Sequence, residues 1–155
     1  AKADPEDIAI AIEVVNRGPE PATVHLLPTL WFRNTWSWRE DCEKPRLRKG
    51  EPPFAPTEDV VIEATHPTLG NYWLYCEQVA LYFTENETNY QALFGGKNAS
   101  PYVKDGIHNA VIHGQRDAIN PDQVGTKVAP HYPLHLEPGE RQTVRLRLTH
   151  QPNLE

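Results

Sequence analysis

Near the start of the chain Ile8, Ile10, Ile12 and Val14 alternate with Ala9, Ala11 and Glu13. A period of two marks a strand, because successive side chains point to opposite faces. Alanine on the second set of positions predicts that this other face is partly covered too. NRGPEP (16–21) then supplies one glycine and two prolines, a turn signal. Val24, Leu26, Leu30 and Phe32 continue one face of a second strand. Pro28 interrupts it, and proline donates nothing to a ladder, so this strand is expected at an edge or bulged. The two segments together predict a β-hairpin.

Residues 39–57, REDCEKPRLRKGEPPFAPT, are charged and proline-rich, and predict a loop. DVVIEATH (59–66), NYWLYCE (71–77) and VALYFTE (79–85) are rich in β-branched and aromatic residues and predict three strands. Turns are expected at Leu69-Gly70-Asn71 and around Glu77-Gln78. From 86 to 127 Gly, Asn and Asp recur with little periodicity, and only a short helix around 88–94 is expected. A loop of that length in one domain is functional or packs against another domain. Beyond it Tyr132, Leu134 and Leu136 alternate, and Pro138-Gly139 fits a type II turn. Val144, Leu146 and Leu148 alternate with Arg145, Arg147 and Thr149, which predicts a strand with one wet face. About seven strands with little helix imply an all-β fold, a single antiparallel β-sandwich over 1–153 with one long irregular loop.

Composition narrows the function. The 15 prolines argue against a helical bundle. A net charge of −6, from 21 acidic and 15 basic residues, disfavours nucleic acid or an anionic membrane as the partner. There is no apolar run of about 18 residues to span a membrane, and no signal peptide is visible. Cys42 and Cys76 are expected to be free thiols. The sequons at Asn86 and Asn98 are read as chance. The chain has no Met, and Leu154-Glu155 resembles a cloning scar. Both predict a piece of a longer protein.

Candidate chemistry is sparse. Glycoside hydrolysis needs two carboxyls about 5–10 Å apart across a sugar. Glu85, Glu87, Asp105, Asp117 and Asp122 lie in or beside the long loop, but acidic residues in such loops are usually turn formers. No catalytic residue is assigned. His131 and His135 stand four apart on a predicted strand, about 13 Å, too far to share one ion. His108 and His113 straddle irregular chain, without the spacing of a zinc or calcium site. No metal or cofactor is expected, and no nucleophile motif, phosphate loop or dinucleotide fingerprint is present. LWFRNTWSW (30–38) remains, with three of the four tryptophans. Aromatic faces stack on sugar rings while Arg and Asn bond hydroxyls, so Trp31, Arg33, Asn34, Trp36 and Trp38 form the candidate contact surface for carbohydrate or a neighbouring domain. Alternation puts Trp31 and Phe32 on opposite faces, and Trp36 with Trp38 on one side if the strand continues.

Three runs, NRGPEPATVHLLPTLWFRNTWSW, TENETNYQALFGGKNASPYVKDGIHNAVIHG and INPDQVGTKVAPHYPLHLEPGE, resemble the amino-terminal region of large bacterial glucosidase-like proteins. These are related to glycoside hydrolase family 63, the mannosyl-oligosaccharide glucosidases. The resemblance extends from about Lys2 to Leu148. It implies a sandwich of the galactose-mutarotase-like type, followed in the parent by an (α/α) barrel of six helical hairpins that carries the catalytic acid and base. The partner implied is that C-terminal barrel, with a glucoside substrate at its rim, and the bacterial cytoplasm is the favoured location. This chain would then be a non-catalytic supporting domain. An independent carbohydrate-binding module and a protein-interaction or oligomerisation domain are the rival expectations.

Overall fold

The computed structural model describes residues 2–38, 41–50 and 59–151. The strands are β1 (Lys2–Asp4), β2 (Asp7–Val15), β3 (Ala22–Leu26), β4 (Leu30–Trp31), β5 (Arg46–Gly50), β6 (Asp59–His66), β7 (Gly70–Glu77), β8 (Ala80–Thr84), β9 (Val124–Gly125), β10 (Lys127–Leu136) and β11 (Arg141–Thr149). Between β8 and β9 lie the helices α1 (Tyr90–Phe94) and α2 (Gly106–Ile112). Seven strands form one sheet in the order β1-β2-β11-β7-β6-β5-β9. The other sheet is built on β10, with β3 and β4 along one edge and β8 along the other. Every pairing is antiparallel. The fold is the expected all-β sandwich.

Alternation accounts for the core. The inward positions of the large sheet are Leu47, Val60, Ile62, Ala64, Leu74, Cys76, Val144 and Leu146. They pack on Leu81, Phe83, Val128 and Tyr132 of the smaller one. A wholly buried side chain such as Phe83 contributes about 1.5–3 kcal/mol by leaving water. On the outer face of the large sheet Val61 and Tyr75, opposed in register, are buried as well. Outside the small sheet, Tyr82 and Ala129 meet Ile107 and Ala110 of α2 in a second, smaller core.

Several local expectations change. β2 and β3 are not a hairpin: β2 pairs with β1 and β11, whereas β3 pairs with β10 in the other sheet. NRGPEP therefore carries the chain between layers, and the period-two pattern is the same in either case. Ala9 and Ala11 face solvent rather than a covering layer. The outer face of β11 is not uniformly wet. Arg147 bonds the buried Asp7 through Nε at 2.8 Å and through a second guanidinium nitrogen, and Thr149 is fully buried.

Within the 39–57 loop the structure places a strand, β5, paired with β6 and β9. Residues 39–40 and 51–57 of that loop, like the 154–155 pair, lie outside the described residues. Strand β10 begins at Lys127, five residues before the expected alternation. The expected turns hold at Gly70 (φ 78°) and at Gly139 (φ 77°), where Glu140 N donates to Glu137 O at 2.9 Å.

The 86–127 segment is more ordered than its composition predicts. It contains α1, α2, a 3-10 turn at Arg116–Ala118, the whole of β9 and the first residue of β10. It is drawn tightly against β8: a Cβ on Gly125 would overlap the Thr84 carbonyl, and one on Gly106 the Ala118 carbonyl.

Candidate functional site

The tryptophan stretch leaves the sheet almost at once. Trp31 pairs in register with Lys127, Phe32 N donates to Thr126 O at 3.1 Å, and the strand then ends. Trp36–Trp38 is a 3-10 turn. Asn34 sets it by accepting a hydrogen bond from Ser37 N at 3.2 Å, as an N-capping side chain does. The expectation that Trp36 and Trp38 share one side of a strand fails for that reason. Trp38 is 66% exposed, whereas Trp36 is half-buried. Trp31 is 53% exposed and Phe32 packs against the core, so that pair does face opposite ways.

Trp36 belongs to a latch. Its indole N–H donates to Glu87 Oε1 at 3.1 Å, and the same oxygen meets Lys44 Nζ at 3.2 Å. Lys44 also reaches Glu85 Oε2 at 3.0 Å, an oxygen that accepts from Thr126 Oγ1 at 2.7 Å. Burial lowers the Lys44 pKa, but hydrogen bonds and charge from Glu85 and Glu87 outweigh it and hold the ammonium above the usual lysine value. Asn86 closes the latch by donating from Nδ2 to Phe32 O at 2.9 Å. The tryptophan segment and the start of the 86–127 segment are thus bound together through side chains.

Between them opens a cleft of about 590 Å³. Its walls carry Trp31, Trp38 and Tyr90, with Arg33, Lys97 and Lys104 among them. The Arg33 guanidinium lies 5.2 Å from the Trp38 ring centroid, within cation–π range. Beside the cleft, α1 buries nothing: Leu93 and Phe94 are 64% and 71% exposed. Asn89 caps this helix by accepting from Ala92 N, and Gly95, at φ 67°, ends it. Asn98 donates to Asn89, and Asn89 to Asp105, each at 2.9 Å. Side-chain hydrogen bonds rather than apolar burial therefore hold this short helix. Both sequon asparagines, Asn86 and Asn98, are engaged in these bonds.

Four of the five candidate residues, Trp31, Arg33, Asn34 and Trp38, line this one cleft, and Trp36 supports it from behind. Of the five carboxylates considered, Glu85 and Glu87 meet on Lys44. One oxygen of each is already occupied by Thr126 or Trp36. Asp105 turns to Asn89 instead. His108 and His113 meet edge to face, 5.5 Å between ring centroids. Among the described residues no group of three His, Cys, Asp or Glu is arranged to hold a metal ion.

A second polar cluster escapes any reading of spacing. Register places His25 opposite Pro133, and its Nδ1 lies 2.7 Å from Nε2 of the buried His131. His131 Nδ1 is 3.0 Å from the Tyr82 hydroxyl, which accepts from Arg116. Arginine only donates, so the single Tyr82 proton is free for His131 Nδ1. In the tautomer that uses it, His131 carries its own proton on Nε2 and gives it to His25. Burial first, then the charges of His25 and Arg116, lower the His131 pKa.

An uncharacterized protein of Saccharomyces cerevisiae, YMR196W, is 29% identical over 180 aligned positions. The alignment takes in 96% of this chain but only 16% of the yeast protein. No family model matches the chain, and no solved structure matches it.

Proposed function

We propose that this chain is a non-catalytic β-sandwich domain of a glycoside-hydrolase-like protein, supporting an (α/α) catalytic barrel and lending its aromatic cleft to the substrate entrance. The observation that carries this reading is the cleft itself, where exposed indole faces stand beside hydrogen-bonding side chains on a latched wall. Indole faces suit the C–H faces of pyranose rings. The apolar surface of α1 continues the cleft outward and suits contact with a further domain. A relative of which this chain spans about a sixth is in keeping with a domain's role. The galactose-mutarotase-like type and the relation to family 63 rest on the sequence runs quoted above. Glu85 and Glu87, tied to Lys44, act as structure rather than as an acid–base pair.

The preformed cleft also favours a second reading, an independent carbohydrate-binding module. One experiment tests both. The chain is titrated with glucose disaccharides while tryptophan fluorescence is followed, and glucoside hydrolysis is assayed in parallel. Trp38→Ala is the informative variant, because Trp36→Ala would break the latch. Binding lost in Trp38→Ala, without hydrolysis, supports a recognition role, and binding strong enough to act unaided favours the module. Hydrolysis that needs Glu85 or Glu87 refutes the non-catalytic reading.

A further inference from the structure

The charge of the cleft runs against that of the chain. The protein carries a net −6, yet Arg33, Lys97 and Lys104 line the cleft against one carboxylate, Glu87. That carboxylate is already committed to Trp36 and Lys44. Lys104 Nζ donates to a neutral group, the Thr88 hydroxyl, at 3.3 Å. Arg33 lies over the Trp38 ring. Neither meets a carboxylate among the described residues.

A fourth cation stands behind the wall. Lys127, register partner of Trp31, donates from Nζ to the Lys104 carbonyl at 3.0 Å. Burial and the charge of Lys104 lower its pKa, against a smaller opposing pull from Asp105. Arg33, Lys97 and Lys104 thus face one cleft carboxylate, Glu87, which Trp36 and Lys44 already engage. The cleft therefore presents a positive field to an anionic occupant.

We propose that the cleft takes an anionic saccharide, its ring stacked on the exposed indole of Trp38 or Trp31 and its carboxylate or phosphate held by Arg33, Lys97 and Lys104. This rests on the recognition role proposed above and adds the substrate class to it. Ser37 and Thr88, also on the cleft wall, add hydroxyl chemistry suited to sugar hydroxyls. Guanidinium and ammonium groups beside an indole face provide both halves of such a ligand's chemistry, charge and stacking.

The test is a tryptophan-fluorescence titration with cellobiose, a glucuronic-acid-containing disaccharide, glucose 6-phosphate and inorganic phosphate, in 20 mM and 500 mM salt. At least one anionic sugar should bind about tenfold more tightly than cellobiose at low salt, and lose most of that advantage at high salt. The two anionic sugars distinguish carboxylate from phosphate. Lys97→Gln/Lys104→Gln should abolish the preference, and Trp38→Ala should weaken both anionic and neutral sugars. Equal binding of neutral and anionic sugars overturns the charge proposal and leaves the recognition role standing. No binding of any sugar, with circular dichroism unchanged, overturns both. Inorganic phosphate binding as tightly as glucose 6-phosphate, or anionic binding that survives all three substitutions, overturns the proposal as well. So does salt-sensitive binding of an acidic peptide where no saccharide binds, which would assign the cleft to a protein partner.

Discussion

Tyr82→Phe removes one oxygen from a chain of four side chains, and the effect can be worked out atom by atom. In the native arrangement Arg116 donates to the Tyr82 hydroxyl, which serves His131, which in turn serves His25. The phenyl ring keeps the packing on Ile107, Ala110 and Ala129, so no cavity larger than the lost oxygen forms. Arg116 is exposed and regains water, so its lost bond costs little. His131 is only 9% exposed, and its Nδ1 is left without a donor. A buried, unmet polar atom costs about 1–3 kcal/mol. The expected loss is about 2 kcal/mol, or roughly 4–8 °C in melting temperature at this chain length.

Urea unfolding at pH 7.5, followed by far-ultraviolet circular dichroism, measures it directly. The wild-type chain should also lose stability on acidification. The folded-state pKa of His131 is lowered, so the folded form prefers it neutral. That contribution is complete above the unfolded value near 6.5 and is lost as pH falls through it toward the folded value. Nitrogen-15 spectra at pH 7.5 should show both His25 and His131 protonated on Nε2. A destabilisation below about 0.5 kcal/mol, or an Nδ1 proton on His131, would refute the chain of donors.

Further substitutions probe other parts of the molecule. Gly125→Ala drives a methyl into the Thr84 carbonyl and should cost about 1–3 kcal/mol in urea unfolding; a neutral result would mean that β9 does not lie so close to β8. Iodoacetamide at pH 8 should label only Cys42 in the native chain, because Cys76 is buried and its thiol is pushed up to about 12, chiefly by burial. Mass spectrometry should show one adduct native and two in urea. Asp7→Asn should lower the urea midpoint at pH 7. The Arg147 hydrogen bond, with burial opposing, holds the Asp7 pKa down, so this deficit should shrink as pH falls below 3.8 toward the folded value. A deficit independent of pH would assign the effect to packing instead.

The sandwich was legible because β2 and β11 carry a plain period of two, while β6, β7 and β8 are rich in β-branched and aromatic residues. Their partners were not. The pattern in Ile8–Val14 records that one face is apolar, and nothing in it says whether the next strand lies beside it or across the core. β5 was hidden because RLRKG has Leu47 as its only large apolar residue, and Gly50 packs against Glu63. α2 did leave a signal, Ile107, Ala110 and Val111 at helical spacing, masked by Gly106 and Asn109. The tryptophans and the segment after β8 could be singled out separately from composition. Their joining through Lys44 depends on a residue within a predicted loop. His25 and His131 stand 106 positions apart and meet only through the register of β3 on β10, which no local spacing encodes.

The position of β11 in the large sheet bears on how the molecule is made. This strand, the last in sequence order among the described residues, lies between β2 and β7. It pairs with β2 over nine consecutive positions, from Asp7↔Thr149 to Val15↔Arg141. At ordinary synthesis rates the first partner leaves the ribosome on the order of ten seconds before the second. Throughout that interval Ile8, Ile10 and Ile12 have no ladder on that side, and β7 likewise presents an open edge. Folding of the large sheet is therefore a late, long-range closure. A nascent chain arrested before Arg141 should be held by chaperones or aggregate, and release of β11 should convert it to a protease-resistant form in one step.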